Sequence, residues 1–437
     1  MKPIHIGLLG IGIVGGGTYT VLKRNQEEIA RRAGRGIVVK MIADKDLDKA
    51  RSLADSGVTV TADAHEITRN PDIDIVVELI GGQTIAKDLI LESIANGKHV
   101  VTANKALLAN HGTEIFAAAR AKGVIVAFEA AVAGGIPIIK ALREGLTANR
   151  ITWIAGIING TANFILSEMR EKGLSFEQVL AQAQKLGYAE ADPTYDIEGI
   201  DAAHKITLMS AIAFGIPVQF NKVYTEGITK LTGEDIRYAE ELGYRIKLLG
   251  ITKRVAKGIE LRVHPTLIPM RRLIANVEGV MNAVVVNGDA VGTTLYYGAG
   301  AGAEPTASSV IADLVDVSRM QTADPMHRVP TLSFQPDSLS DTPVIPMEEV
   351  ETSYYLRMQV IDKPGVMAEI TRIVADNNIS ISAMIQKEAS NESDNVGIIM
   401  LTHLTVEKNI NAAIARIESL SVVTSEVIRI RIEELNN

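Results

Sequence analysis

Six short apolar runs alternate with helix-like stretches over the first 130 residues. They are Ile4 to Leu9, Ile37 to Ile42, Val58 to Thr61, Ile75 to Ile80, His99 to Thr102 and Val124 to Phe128. Parallel strands need crossover helices between them, so this order predicts an α/β fold with a doubly wound, Rossmann-type parallel sheet. Gly10-Ile11-Gly12-Ile13-Val14-Gly15 closes the first run and opens the first helix. There the first glycine permits a tight turn, the second lets the backbone approach a pyrophosphate, and the third lets the helix pack on the strand. The phosphates would lie at the positive end of the helix. The combination predicts a dinucleotide site over the alternative of an ordinary glycine-rich turn. The second run ends Ile42-Ala43-Asp44-Lys45. An acid there favours NAD through the ribose hydroxyls, and a base can accept the 2′-phosphate of NADP. Both are present, so the residues leave NAD or NADP open.

From residue 136 to 320 the pattern becomes α+β, with strands at Ile151 to Ile158, Tyr244 to Thr252, Ile259 to Leu267 and Val280 to Val286. Helices are expected over Gly199 to Phe214 and Thr306 to Met320, the latter packing back on the first domain. Five of the fourteen prolines fall between Gln321 and Glu349. Proline cannot donate to a sheet, so this stretch reads as a semi-rigid, mostly extended linker. The last segment runs strand, helix, strand, strand, helix, strand: Tyr354 to Ile361, Val366 to Asp376, Ile379 to Lys387, Val396 to Leu404, Ile410 to Leu420 and Val422 to Ile432. That order is the ferredoxin-like unit. The expected domains are therefore 1–135 for the dinucleotide, 136–320 for substrate and dimerisation, a linker at 321–350, and a separate unit at 351–437.

The chain of 437 residues is 47% hydrophobic, enough for several cores. Its net charge of −8 and lack of a Lys/Arg stripe argue against nucleic-acid binding. It has no cysteine, which excludes disulfides, thiolate metal sites and a cysteine nucleophile, and agrees with a cytoplasmic location. The start Met1-Lys2-Pro3 carries no signal-peptide pattern, and no apolar run reaches the ~18 residues of a membrane span.

The segment Leu186 to Asp196 is acidic and loop-like, and it leads into Ile197 to Lys205. Asp201 and Lys205 are four apart at a helix start, so they share one face, and Ile206 to Phe214 is almost wholly apolar. A lysine in such a place reads as partly buried and functional, against the alternative of an ordinary surface ion pair. Lys105 follows the fifth strand, at the sheet edge where Rossmann ligands bind. The alternative for it is an exposed loop lysine. His204 reads as a packing histidine, and His5, His99 and His111 lack metal-ligand spacing.

Five motifs resemble those of the homoserine dehydrogenases: GIGIVGGG at Gly10, VVTANKALL at Val100, GIINGTANFIL at Gly156, LGYAEADPTYDIEGIDAAHK at Leu186 and GAGAGAEPTASSV at Gly298. The resemblance implies NAD(P)-dependent interconversion of L-aspartate 4-semialdehyde and L-homoserine. It implies that Lys205 is catalytic, that Lys105 lies near both nicotinamide and substrate, and that Glu190, Asp201 and Asp196 serve the substrate. It also implies that Gly187 and Gly302 touch the cofactor. Glu129, with the carbonyls of Val132, Gly134 and Ile136, matches a site for a monovalent cation such as sodium; the alternative is a glycine-rich hinge. The Asp44-Lys45 pair departs from members with arginine there, which puts strict NADP preference in doubt. A homodimer or homotetramer is expected.

The C-terminal unit resembles an ACT domain, with Asp362-Lys363-Pro364-Gly365 at its first turn. The resemblance implies an amino-acid effector, threonine foremost, with a purely assembling module as the alternative. Removing residues 349–437 is expected to spare homoserine oxidation. A catalytically silent NAD(P)- and amino-acid-binding sensor is the rival reading, and it would be expected to have lost Lys205 or Glu190; both are present.

Overall fold

The computed structural model describes residues 2–386 and 395–436. Its Cα atoms gather into two compact units, each built from three stretches of chain. Among the described residues, no helix is long and apolar enough to cross a membrane.

The first unit comprises residues 1–160, 201–223 and 280–342. Its main sheet has the order β3-β2-β1-β4-β5-β6 and every pairing is parallel. The strands are β1 (Ile4–Leu9), β2 (Ile37–Ala43), β3 (Thr59–Thr61), β4 (Ile75–Glu78), β5 (His99–Thr102) and β6 (Val126–Ala127). The order reverses between β1 and β4, which opens the crevice where such sheets bind ligands. Two strands end sooner than the apolar runs suggest. Ile80 and Gly81 donate their N–H groups to the Glu78 carboxylate, so the chain turns at the end of β4. The other is β6, which holds two residues; just before it Ile125 donates to His99 Nδ1.

The helix Ala303–Met320 starts three residues before the expected Thr306, capped by Gly302. Its Ala307, Val310 and Leu314 join Ile6 and Leu8 of β1 and Val77 of β4 in one core. The same unit holds an antiparallel triple of Ile151–Ile157, Met281–Gly288 and Gly292–Ala299. The last of these strands was not expected.

The second unit comprises residues 161–200, 224–279 and 343–437. Its last segment forms an antiparallel sheet in the order Ile428–Ile432, Glu351–Ile361, Asn395–Thr402, Ile381–Gln386. The helices Val366–Asp376 and Glu407–Glu418 cover one face, their Ile370 and Ile410 packing with Leu356, Met358 and Ile398. This is the ferredoxin-like order. Of the run expected to end at Lys387, Ile381 to Gln386 is strand, and Lys387 lies outside the described residues.

This sheet continues inward. Leu267 pairs in parallel with Ile432, and Gly258–Pro269 pairs on its other side with Tyr244–Val255. Every residue of Gly258–Pro269 is buried, charged ones included. The proline-rich stretch is less extended than its composition suggests. It holds three single 3-10 turns, at Pro325–His327, Pro336–Ser338 and Met347–Glu349, and Val344 bridges to Ile259.

Candidate active site

The glycine-rich turn has the geometry that a dinucleotide requires. Gly10 has φ +91°, and a Cβ there would lie 2.9 Å from the Leu79 carbonyl oxygen. A Cβ on Gly15 would lie 2.1 Å from the Gly10 oxygen, so the helix Ile13–Arg24 can follow the turn this closely only with glycine. A Cβ on Gly12 would meet nothing within 4 Å. The backbone there faces open space, and no side chain caps the helix. Its first N–H groups thus remain for an anion. Val14 lies in the same first turn, and Ile13 is exposed on it.

Asp44 is bound within the protein. Its carboxylate accepts the Ile11 N–H at 2.5 Å and the Asp46 N–H at 2.8 Å, which fastens the end of β2 to the glycine turn. Lys45 beside it is exposed. Gly302 belongs to the same region. A Cβ on Gly17 would lie 2.5 Å from the Ala303 oxygen, so the helix that Gly302 caps touches the glycine-rich helix backbone to backbone. Arg24 and Glu304 join the two with paired bonds of 2.8 and 2.9 Å.

The most deeply engaged group among the candidate site residues is a carboxylate between two ammonium groups. Lys205 Nζ donates to Asp201 Oδ2 at 2.6 Å and to the Ile158 carbonyl at 2.6 Å. Lys105 Nζ lies 3.0 Å from the other oxygen, Asp201 Oδ1. Asn159 Nδ2 donates to Asp201 Oδ2 at 2.9 Å. The Asp201 and Lys205 side chains are each 9% exposed and that of Lys105 is 38% exposed, so the pair opens on the Lys105 side. Burial alone would push the Asp201 carboxyl up, but Lys205 and Lys105 outweigh it and hold the acid far below its ordinary range. His204 stacks on Phe220 at 4.3 Å, and burial pushes its imidazole down to about 4. It is neutral near pH 7, which fits packing better than catalysis.

Glu129 is 1% exposed. Its two oxygens accept the N–H groups of Ile139 and Lys140, each at 2.8 Å. Burial, and then the nearby Asp313, pushes its carboxyl up to about 7. The Gly134 carbonyl accepts the Ser309 hydroxyl at 2.7 Å and the Ile136 carbonyl accepts the Ile138 N–H at 2.8 Å. Each carbonyl keeps a second lone pair, so these oxygens and that of Val132 are hard donors of the chemistry a monovalent cation takes. Among the described residues, no group of three or more His, Cys, Asp or Glu could hold a metal ion.

Gly187, Glu190 and Asp196 belong to the second unit. Gly187, at φ +76°, turns the chain out of the helix Phe176–Lys185. Glu190 is exposed, its backbone carbonyl held by Gln184 at 3.1 Å. Asp196 lies half-buried in the short helix Thr194–Ile197. Spacing did not reveal Ile158, Asn159 or Asp313. The first two lie inside the motif at Gly156, which is the only signal that could have singled them out.

Comparison with known proteins gives the family. The family model for the homoserine dehydrogenase NAD-binding domain matches residues 10–129. The homoserine dehydrogenase model matches 137–315, and an ACT domain model matches 354–422. A homoserine dehydrogenase of Pseudomonas aeruginosa is 64% identical over 437 residues, all of both chains. A crystal structure of a homoserine dehydrogenase from Thiobacillus denitrificans has a TM-score of 0.96 at 69% identity, covering 100% of this chain and 99% of that one. One from S. aureus has a TM-score of 0.76 at 33% identity, covering 99% of each. The chain thus belongs to the homoserine dehydrogenases, NAD(P)-dependent oxidoreductases that interconvert L-aspartate 4-semialdehyde and L-homoserine, in the form that carries a C-terminal ACT domain.

Proposed function

We propose that Lys205 carries the proton of the reaction, with Asp201 and Lys105 setting its field. The observation behind this reading is the single buried carboxylate that bridges both lysines. The nicotinamide, when bound, supplies or takes the hydride. Gly10, Ile11, Gly12, Ile13, Val14 and Gly15 hold the pyrophosphate, Asp44 and Lys45 face the ribose, and Lys105, Gly187 and Gly302 complete the cofactor contacts. As the aldehyde is reduced its oxygen gains charge, and the Lys205 ammonium gives that oxygen a proton. In homoserine oxidation the neutral amine takes the hydroxyl proton. Lys105 meets the substrate from the open side, and Glu190, Asp196 and Asp201 are the acids that suit its ammonium.

The test is homoserine-dependent reduction of NAD and NADP measured in parallel. Lys205→Ala should lower kcat at least ~100-fold, the lower end for a lost general acid/base, with cofactor affinity nearly unchanged. Normal turnover would remove Lys205 from the mechanism.

Three finer readings accompany this one. A monovalent cation, sodium foremost, sits on Glu129 and the Val132, Gly134 and Ile136 carbonyls. The buried acid supports it, and an equal melting temperature in sodium and choline chloride would remove it. Threonine is the effector of the ACT domain, serving feedback in threonine, methionine and isoleucine biosynthesis. Calorimetry of the full chain with threonine should show binding, and its absence would leave an assembly module. The enzyme works as a homodimer or homotetramer. The edge strand Gly292–Ala299 supports this by exposing Leu295 and Tyr297, and a monomer in sedimentation would overturn it.

A further inference from the structure

We infer that Asn159 is a positioning residue for the two lysines and acts through Asp201. The inference rests on the reading of Lys205 as the proton carrier. Asn159 is 5% exposed and follows the strand Ile151–Ile157. Its amide donates to Asp201 Oδ2, the oxygen that also takes Lys205. The other oxygen faces Lys105. An ammonium is a compact charge that attracts a carboxylate without fixing its plane. A planar amide adds direction. With Asn159 in place, the carboxylate presents one oxygen to each lysine.

The neighbouring residue completes the clamp, since the Ile158 carbonyl accepts the Lys205 ammonium directly. One dipeptide therefore holds both members of the Lys205–Asp201 pair. The next residue anchors that dipeptide. A Cβ on Gly160 would lie 2.7 Å from the Val280 oxygen, so the backbone is pressed against the chain that enters Met281–Gly288. Without the amide the carboxylate can turn about its Cβ–Cγ bond, and the lysine that must reach the substrate oxygen loses its fixed direction.

A double-mutant cycle on the full-length enzyme tests this. Asn159→Ala should lower kcat for homoserine oxidation about 10-fold, as expected for a lost hydrogen bond to a charged group. The homoserine KM and the cofactor Kd should stay within about twofold, because the amide is buried and spent on Asp201. In an Asp201→Asn background the same substitution should cost less than about twofold, since the group it orients has changed. An equal cost in both backgrounds overturns the inference, as does a loss confined to KM or to melting temperature. Asn159→Asp keeps the volume and turns the donor into an acceptor once ionised. Its kcat relative to the wild type should rise as pH falls, and a ratio constant with pH also overturns the inference. The two readings fail separately. Normal turnover by Lys205→Ala removes the proton carrier, whereas an additive cycle with Lys205→Ala inactive removes only Asn159.

Discussion

Asp201→Asn withdraws one negative charge from between two positive ones without changing the volume of the side chain. Lys205 Nζ lies 2.6 Å from Asp201 Oδ2 and Lys105 Nζ 3.0 Å from Oδ1. At the effective dielectric that suits protein sites, a charge pair at such range is worth on the order of 4 kcal/mol. With Lys205 as the proposed base, homoserine oxidation needs its neutral amine, so kcat should rise with pH as the ammonium gives up its proton. Without the carboxylate the ammonium is held less firmly, and Lys105 still repels it. The rising limb should therefore move towards acid, with a lower plateau because the amine is no longer oriented. The assay is kcat at saturating homoserine and cofactor from neutral to alkaline pH. A limb that stays in place, or moves towards alkali, refutes the reasoning. Stability gives a second reading of the same charge. The folded state holds the Asp201 acid far below its unfolded value. Its stabilisation is thus fully present above the unfolded pKa of about 3.9 and is lost as pH falls through the folded one. The stability gap between wild type and Asp201→Asn should narrow in strong acid.

Asp44→Ala should weaken both cofactors, because it frees the glycine turn from its Ile11 bond, and it should weaken NAD more than NADP in fluorescence titrations. Equal losses would show that Asp44 does not read the ribose. Arg431 is fully buried between Glu407 and Glu226. Arg431→Met should cost about 3 kcal/mol in denaturant unfolding, the low end for breaking a buried pair, since Arg429 remains 2.9 Å from Glu407. Adding Glu407→Gln should recover part of that loss, and strictly additive losses would contradict it.

The parallel sheet was legible because strands buried on both faces read as continuous apolar runs. Ile4–Leu9, Ile75–Glu78 and His99–Thr102 are almost wholly buried, and their runs stood out. The strand Gly292–Ala299 was not legible. It is an edge with one partner in its unit, its side chains alternate between half-buried and exposed, and its sequence mixes threonine, leucine and tyrosine with no clear polar face. Boundaries slipped where side chains took over backbone donors, as Glu78 does for Ile80 and Gly81. Such bonds join positions whose spacing carries no periodic signal.

The site was legible in part for the same reason. Asp201 and Lys205 lie on one helix face, so their pairing could be read, and the apolar run that follows suggested burial. The sharing of Asp201 with Lys105 depends on tertiary folding, as does the clamp from Ile158 and Asn159. At the C-terminus the order of elements was readable, but nothing in the spacing marked its charged residues as buried. In the structure Arg262 reaches Glu260 and Glu433 while 1% exposed, and Arg357 reaches Asp235, which is fully buried. These are contacts between the ACT segment and the middle of the chain within one unit. The sheet runs through the same junction at Leu267 and Ile432. The segment is therefore no bead on a linker, and deleting it opens an edge of Gly258–Pro269 and strips Glu433 from Arg262. An effector bound to the ACT segment must favour one arrangement over another to act at all. Within this unit packed strands and paired charges join the ACT segment to the middle of the chain, so a change passed through them also touches residues that hold the fold. Loss of inhibition after truncation would by itself say little about where the effector binds.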